Sequence, residues 1–207
     1  MALEASRILH HLGCDVRIYN PSLLPLRSTV SAKYPTGIEL RRLSEWSEGH
    51  VWVTKHLQGE RQTPILKNQL DWLRQEINYT QPSWGKTLSA LQINDGPPNF
   101  DSLDLLRRRG QSMRMFTIRK QCSVHMASTA FDFGDDGHNR DGIYGVDRLL
   151  PSPARDSLVD CMEEFVKFSI VMRPHIDMLS ERYSDRKEKK EKIEIDEKVA
   201  ENIVQDA

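Results

Sequence analysis

The sequence has few cysteines, no long apolar run and no surplus of either charge. Its three cysteines, Cys14, Cys122 and Cys161, are odd in number and far apart in 207 residues. They make neither a disulfide framework nor a zinc-ligand pattern, and they fit a reducing, cytoplasmic setting. The longest apolar run, residues 165–172, is interrupted by Lys167, so no segment is expected to span a bilayer. The first seven residues include Glu4 and Arg7 and no apolar stretch, so no signal peptide is expected. Without a secretory signal, the glycosylation pattern Asn78-Tyr-Thr80 carries little weight. Lys and Arg number 29 against 30 Asp and Glu, a formal net charge of −1. That balance excludes a wholesale electrostatic grip on nucleic acid. No repeat of fixed period is visible.

What is present is enough apolar material for a core, 38% of residues, at a length that suits one domain better than two. Residues 1–180 read as that domain and 181–207 as a charged tail. Leu3, Ile8, Leu9 and Leu12 fall near helical spacing and stop at Gly13. Val16 and Ile18 alternate with Asp15 and Arg17, which predicts a short strand over 14–20. Ile38, Leu40, Leu43 and Trp46 predict a helix ending at Gly49, and residues 50–54 a buried strand. Thr63-Pro64 predicts a helix start with Thr63 as N-cap. Residues 86–93 read as a strand, 100–113 as a helix rich in Leu and Arg, and 114–118 as another strand. Residues 131–153 look loop-like. A long helix opens near Ser152-Pro153, with Leu158, Cys161, Met162, Phe165, Phe168 and Met172 on one face. Strands alternating with helices predict an α/β domain with a mainly parallel sheet. Ligands of such sheets sit at the carboxyl ends of the strands, here near 54–61, 94–99 and 119–124.

Several separated motifs carry a resemblance. Trp46-Ser-Glu-Gly-His-Val-Trp-Val53, Lys67-Asn-Gln-Leu-Asp-Trp72, Gly85-Lys-Thr-Leu88 and Met113-Arg-Met-Phe-Thr-Ile118 occur in order. Asp160-Cys-Met-Glu-Glu-Phe-Val-Lys-Phe168 and Arg182-Tyr-Ser-Asp-Arg-Lys187 follow. The chain resembles the ArsH family of NADPH-dependent FMN reductases from residue 1 to about 190, with an insertion-like stretch at 134–150. The resemblance implies a flavodoxin-like three-layer sandwich, a five-stranded parallel sheet between helices, with FMN at the strand ends and NADPH as hydride donor. It also implies quinone, azo, ferric, oxygen or organoarsenical acceptors, a link to arsenic resistance, and a homo-oligomer, typically a tetramer.

The family holds FMN with three loops. The first, roughly Gly-Ser-x-Arg, follows strand one; this chain opens inside the next helix, so first strand and phosphate loop read as missing. The second loop corresponds to residues 54–59, giving Thr54, His56 and Gly59 as candidate cofactor contacts. The third corresponds to 94–100, giving Asn94, Asp95, Gly96 and Phe100. Pro97 and Pro98 each lack a backbone N–H. Asp95 brings a negative charge to where a flavin anion would form, which is expected to disfavour the reduced state. No catalytic side chain and no metal ligand is assigned. These departures also fit a second reading: a cofactor-poor pseudoenzyme serving as a structural or regulatory subunit, in a hetero-oligomer with an intact relative. A third is an incomplete gene product.

Smaller signals are weak. Lys55 and Arg61 could attract a phosphate of NADPH, but an isolated pair in a loop says little. His10-His11, Arg107-Arg-Arg109 and the charged tail read as solvated surface. Asp132-Phe-Gly134 mimics a kinase signature without its companions. Lys192-Ile-Glu-Ile-Asp196 alternates but is too polar for a central strand.

Overall fold

Helix α1 (Ala2–His11) opens the chain, and its ending is set by Gly13. Gly13 takes φ +87°, its N–H donates to the His10 carbonyl, and the Cys14 N–H donates to the Leu9 carbonyl. That double bond pattern at a left-handed residue stops a helix and favours glycine there. The computed structural model describes residues 1–27, 34–56, 63–74, 82–96, 100–132 and 148–180, with separate positions between 183 and 193.

Helix α2 (Pro35–Trp46) precedes strand β1 (Gly49–Lys55), and α3 (Pro64–Leu73) precedes β2 (Thr87–Ile93). Helix α4 (Asp101–Ser112) leads to β3 (Phe116–Thr117) and β4 (Cys122–Val124). A short helix α5 (Ala127–Ala130), strands β5 (Phe131–Asp132) and β6 (Arg148–Leu149), and helices α6 (Pro153–Met172) and α7 (Ile176–Ser180) complete the described elements. Proline opens α2, α3 and α6, where its missing N–H leaves no bond unmade. Ser152 caps α6 by accepting from the Arg155 N–H at 3.3 Å. Thr63 stands at the N-cap of α3 without a side-chain cap bond.

All pairings in the main sheet are parallel, and β2 is its hub. β1 pairs with β2 from Gly49↔Thr87 to Lys55↔Ile93. β3 and β4 both pair with β2, at Thr87–Leu88 and at Leu91–Ile93. Of the strand expected at 114–118 only β3 forms, and a second short strand, β4, follows after residues 118–121 on the same side of β2. Residues expected to be loop at 131–153 include the small antiparallel pair β5–β6.

The strand expected at 14–20 does not form: those residues are in no strand. Their alternation survives only in part as burial: Cys14 and Val16 are partly covered and Asp15 and Arg17 exposed, but Ile18 is exposed as well. Sheet structure requires a hydrogen-bonded neighbour as well as an apolar face, and among the described residues nothing pairs with this segment. The same holds for the far edge of β1.

Two cores lie on the two faces of the sheet. On one, α1 and α6 cover Leu91, Ile118, Cys122 and Val124 with Ala5, Leu9, Leu158, Cys161, Met162 and Phe165. On the other, α2, α3 and α4 cover Trp52, Leu88 and Ala90 with Leu40, Leu70, Trp72, Leu103 and Leu106. Six of the seven residues of β2 are buried, which suits a strand covered on both faces. This is a three-layer α/β sandwich. Of the tail, Ile193 is helical and exposed, not a strand residue; residues 194–207 lie outside the described set.

Candidate functional site

The strand register brings three ends level. Lys55 lies beside Ile93, and Ile93 beside Val124, so the next row is His56, Asn94 and His125. Backbone bonds extend the ladder into that row: the His56 N–H donates to the Ile93 carbonyl at 2.8 Å, and the Asn94 N–H to the Val124 carbonyl at 2.9 Å. The Ala127 N–H then donates to the Asn94 carbonyl, which turns the chain into α5.

Each side chain in this row is oriented by a neighbour. His56 Nδ1 lies 3.1 Å from the buried Ser102 hydroxyl. His125 Nδ1 lies 3.2 Å from Oδ1 of Asn94, itself 1% exposed. Because that oxygen only accepts, the His125 Nδ1–H donates to it. The Phe100 ring, half-exposed, stands edge-on to His125 with centroids 6.3 Å apart. Thr54 is buried beneath the row.

On the α1 side the same strand ends border a cleft of about 570 Å³. Its walls are Met1, Ala2 and Leu3 at the start of α1, Lys55, Ile93 and Asp95 at the strand ends, and Ala127, Ser128 and Phe131 beyond them. The first N–H groups of α1 have no carbonyl within the helix. Lys55 Nζ and Asp95 Oδ2 form an ion pair of 2.7 Å. The bond from Lys55 and a further one from the Ser128 backbone hold the Asp95 carboxyl below the ordinary carboxylate range. Just behind the cleft wall, the buried Glu4 carboxylate faces Arg7, Arg148 and Arg155 at 2.8, 3.2 and 3.8 Å.

Of the residues picked from the sequence, Thr54, His56, Asn94, Asp95, Gly96 and Phe100 gather at these strand ends; Gly59 lies outside the described residues. At Gly96 an added β-carbon would meet nothing within 4 Å among the described residues. The negative charge that Asp95 brings to the site is paired with the Lys55 ammonium. Sequence reasoning missed His125 and Ser102. The residue after β4 sits in the His56–Asn94 row, but only the register shows it. Among the described residues no group of three or more His, Cys, Asp or Glu could hold a metal ion. No helix of the described residues is long and apolar enough to cross a membrane.

The chain is 40% identical over 185 residues to a Shigella flexneri protein named NADPH-dependent FMN reductase ArsH, covering 89% of this chain and 68% of the relative. The chain belongs to the ArsH family. ArsH proteins of Acidithiobacillus ferrooxidans and Rhizobium meliloti, bearing the same name, are 36% and 38% identical. Those matches cover 93% and 94% of this chain and 76% and 75% of the relatives. No family model matches the chain. Among solved structures, the apo form of an NADH:FMN oxidoreductase (EMOB) is similar, with a TM-score of 0.57 at 17% identity over 79% of this chain and 78% of that one. That likeness shows the fold: this chain has a flavodoxin-like sandwich. The ArsH motif residues of this chain serve much of the scaffold. Asn68 and Trp72 bond the Pro25 carbonyl, at 3.0 and 2.9 Å. Arg114, at φ 54°, stacks on Trp84 at 3.8 Å.

Proposed function

We propose that this chain is a flavin reductase that carries reducing equivalents from NADPH through FMN to a small-molecule acceptor. The acceptor classes are quinones, azo compounds, ferric iron and organoarsenicals, the last giving a link to arsenic resistance. The names of the ArsH relatives support the cofactors. The observation that carries the reading is the cleft at the carboxyl ends of a parallel sheet, where α/β proteins bind cofactors.

The donor set fits an anionic, flat heterocycle bearing a phosphate. The Lys55 ammonium at the cleft wall suits a phosphate or another anion. Among the described residues nothing stands against Gly96 to block a flat ring, and the exposed Phe100 ring offers an apolar face. The Asn94 amide and the His125 imidazole fix each other and hold a proton at Nδ1. When bound, FMN supplies the two-electron chemistry; the chain supplies binding, orientation and local charge.

We further propose a homo-oligomer. Ile170, Val171, Met178, Leu179 and Tyr183 expose a run of large apolar groups along the C-terminal helices, which supports a second copy as their cover. The three free thiols are in keeping with a cytoplasmic setting.

The test is an FMN titration of protein shown to be folded by circular dichroism, followed by flavin fluorescence. Saturable binding, with NADPH oxidation in the presence of a quinone, supports the reading. Absence of saturable binding by folded protein overturns it.

A further inference from the structure

Among the described residues lining the cleft, Lys55 and Asp95 alone carry charged side chains. The cation is therefore already bonded to the carboxylate, at 2.7 Å. Both stand at strand ends fixed by the β1–β2 register, so backbone geometry sets their meeting.

We propose that Lys55 and Asp95 form an exchangeable latch, and that an anionic ligand enters this cleft by replacing the Asp95 carboxylate on the Lys55 ammonium. The pair is 47% and 48% exposed, so water competes for both partners and the bond contributes little to stability. Exchange therefore does not disturb the fold. Once released, Asp95 keeps its bond from the Ser128 backbone and its negative charge. It stays beside the incoming anion and repels it, so Asp95 sets an upper limit on affinity. Lys55 is the attracting partner and determines charge preference. The identity of the anion as FMN rests on the function proposed above.

The experiment titrates FMN against wild type, Asp95→Asn, Lys55→Gln and the double variant. Asp95→Asn is expected to tighten binding about tenfold and Lys55→Gln to weaken it about tenfold, the size of a close charge contact. In the Lys55→Gln background, Asp95→Asn gains less, because no ammonium is freed. Binding by Asp95→Asn alone also supports the latch. Equal affinity in all four proteins, or weaker binding by Asp95→Asn, overturns the latch and leaves the flavin reading standing. No FMN binding by any of the four overturns both.

Discussion

Gly37 lies against the six-membered ring of Trp72 so closely that a β-carbon at residue 37 would overlap ring atoms. Trp72 is fully buried, its indole N–H donates to the Pro25 carbonyl, and the guanidiniums of Arg27 and Arg41 lie 5.1 and 5.8 Å from its ring centre. The ring cannot yield without breaking these contacts. Gly37→Ala is expected to destabilise the protein by about 1–3 kcal/mol, the usual range for overpacking. A lowered urea midpoint at unchanged slope would register it; an unchanged midpoint would contradict the packing.

His50 gives stability a pH dependence. Burial, then the nearby Lys86 charge, pushes its imidazole down to about 4, against an ordinary 6.5. Between those values the unfolded chain takes up a proton that the folded chain refuses. Stability therefore falls as pH drops through that window, and His50 has no such effect above it. His50→Gln should lose less stability than wild type between pH 7 and pH 5. Equal losses in parallel urea titrations would rule the assignment out.

The thiols should react in order of exposure. Burial pushes the Cys122 thiol up to about 12, and burial likewise raises Cys161. Cys14 is raised by burial and then by Glu48, but is only partly covered. A disulfide reagent at pH 8 should modify Cys14 first and the other two only after denaturant is added. Mass mapping of the labelled peptides checks this, and early labelling of Cys122 would refute it.

Glu4 joins three elements through one carboxylate: Arg7 belongs to α1, Arg148 to β6 and Arg155 to α6. Glu4→Gln leaves three guanidiniums facing each other around a neutral amide. Glu4 is buried while the three guanidiniums are each about a third or more exposed, so water takes up part of the loss and the cost is about 1–2 kcal/mol. Calorimetry should show a clear fall in melting temperature, and one within a degree of wild type would show that the cluster does not bind α1 to the body.

The apolar run on the C-terminal helices should govern self-association. Val171→Glu with Met178→Glu places two charges among groups that are 61% and 69% exposed. Light scattering is expected to give a smaller species for the variant than for wild type. The same mass for both would move the interface elsewhere.

Much of the fold is legible in the sequence because its signals are local. Pro64 and Pro153 mark helix starts, Gly13 marks a stop, and the stretch 86–93 reads as the strand that becomes β2. The strand expected at 14–20 fails because pairing depends on a neighbour that alternation cannot supply. The site is half legible for the same reason. Asn94 and Asp95 stand out after a strand, but the pairing of Asp95 with Lys55 and of His56 with Ser102 depends on register between distant segments. His125 escaped notice because the break at 118–121 hides where its strand ends.

The position of β2 also decides how long the cleft endures. Ile93 and Asp95 follow from the strand that joins β1 on one side to β3 and β4 on the other. While that strand stays paired on both sides, local fraying does not move apart the strand ends that carry Lys55 and Asp95. The amides of β2 should be the last to exchange with deuterated solvent, and loss of ligand capacity on heating should keep pace with global unfolding. Cleft and domain then have one shared lifetime, and a substitution that slows unfolding anywhere in the body prolongs the working life of the site.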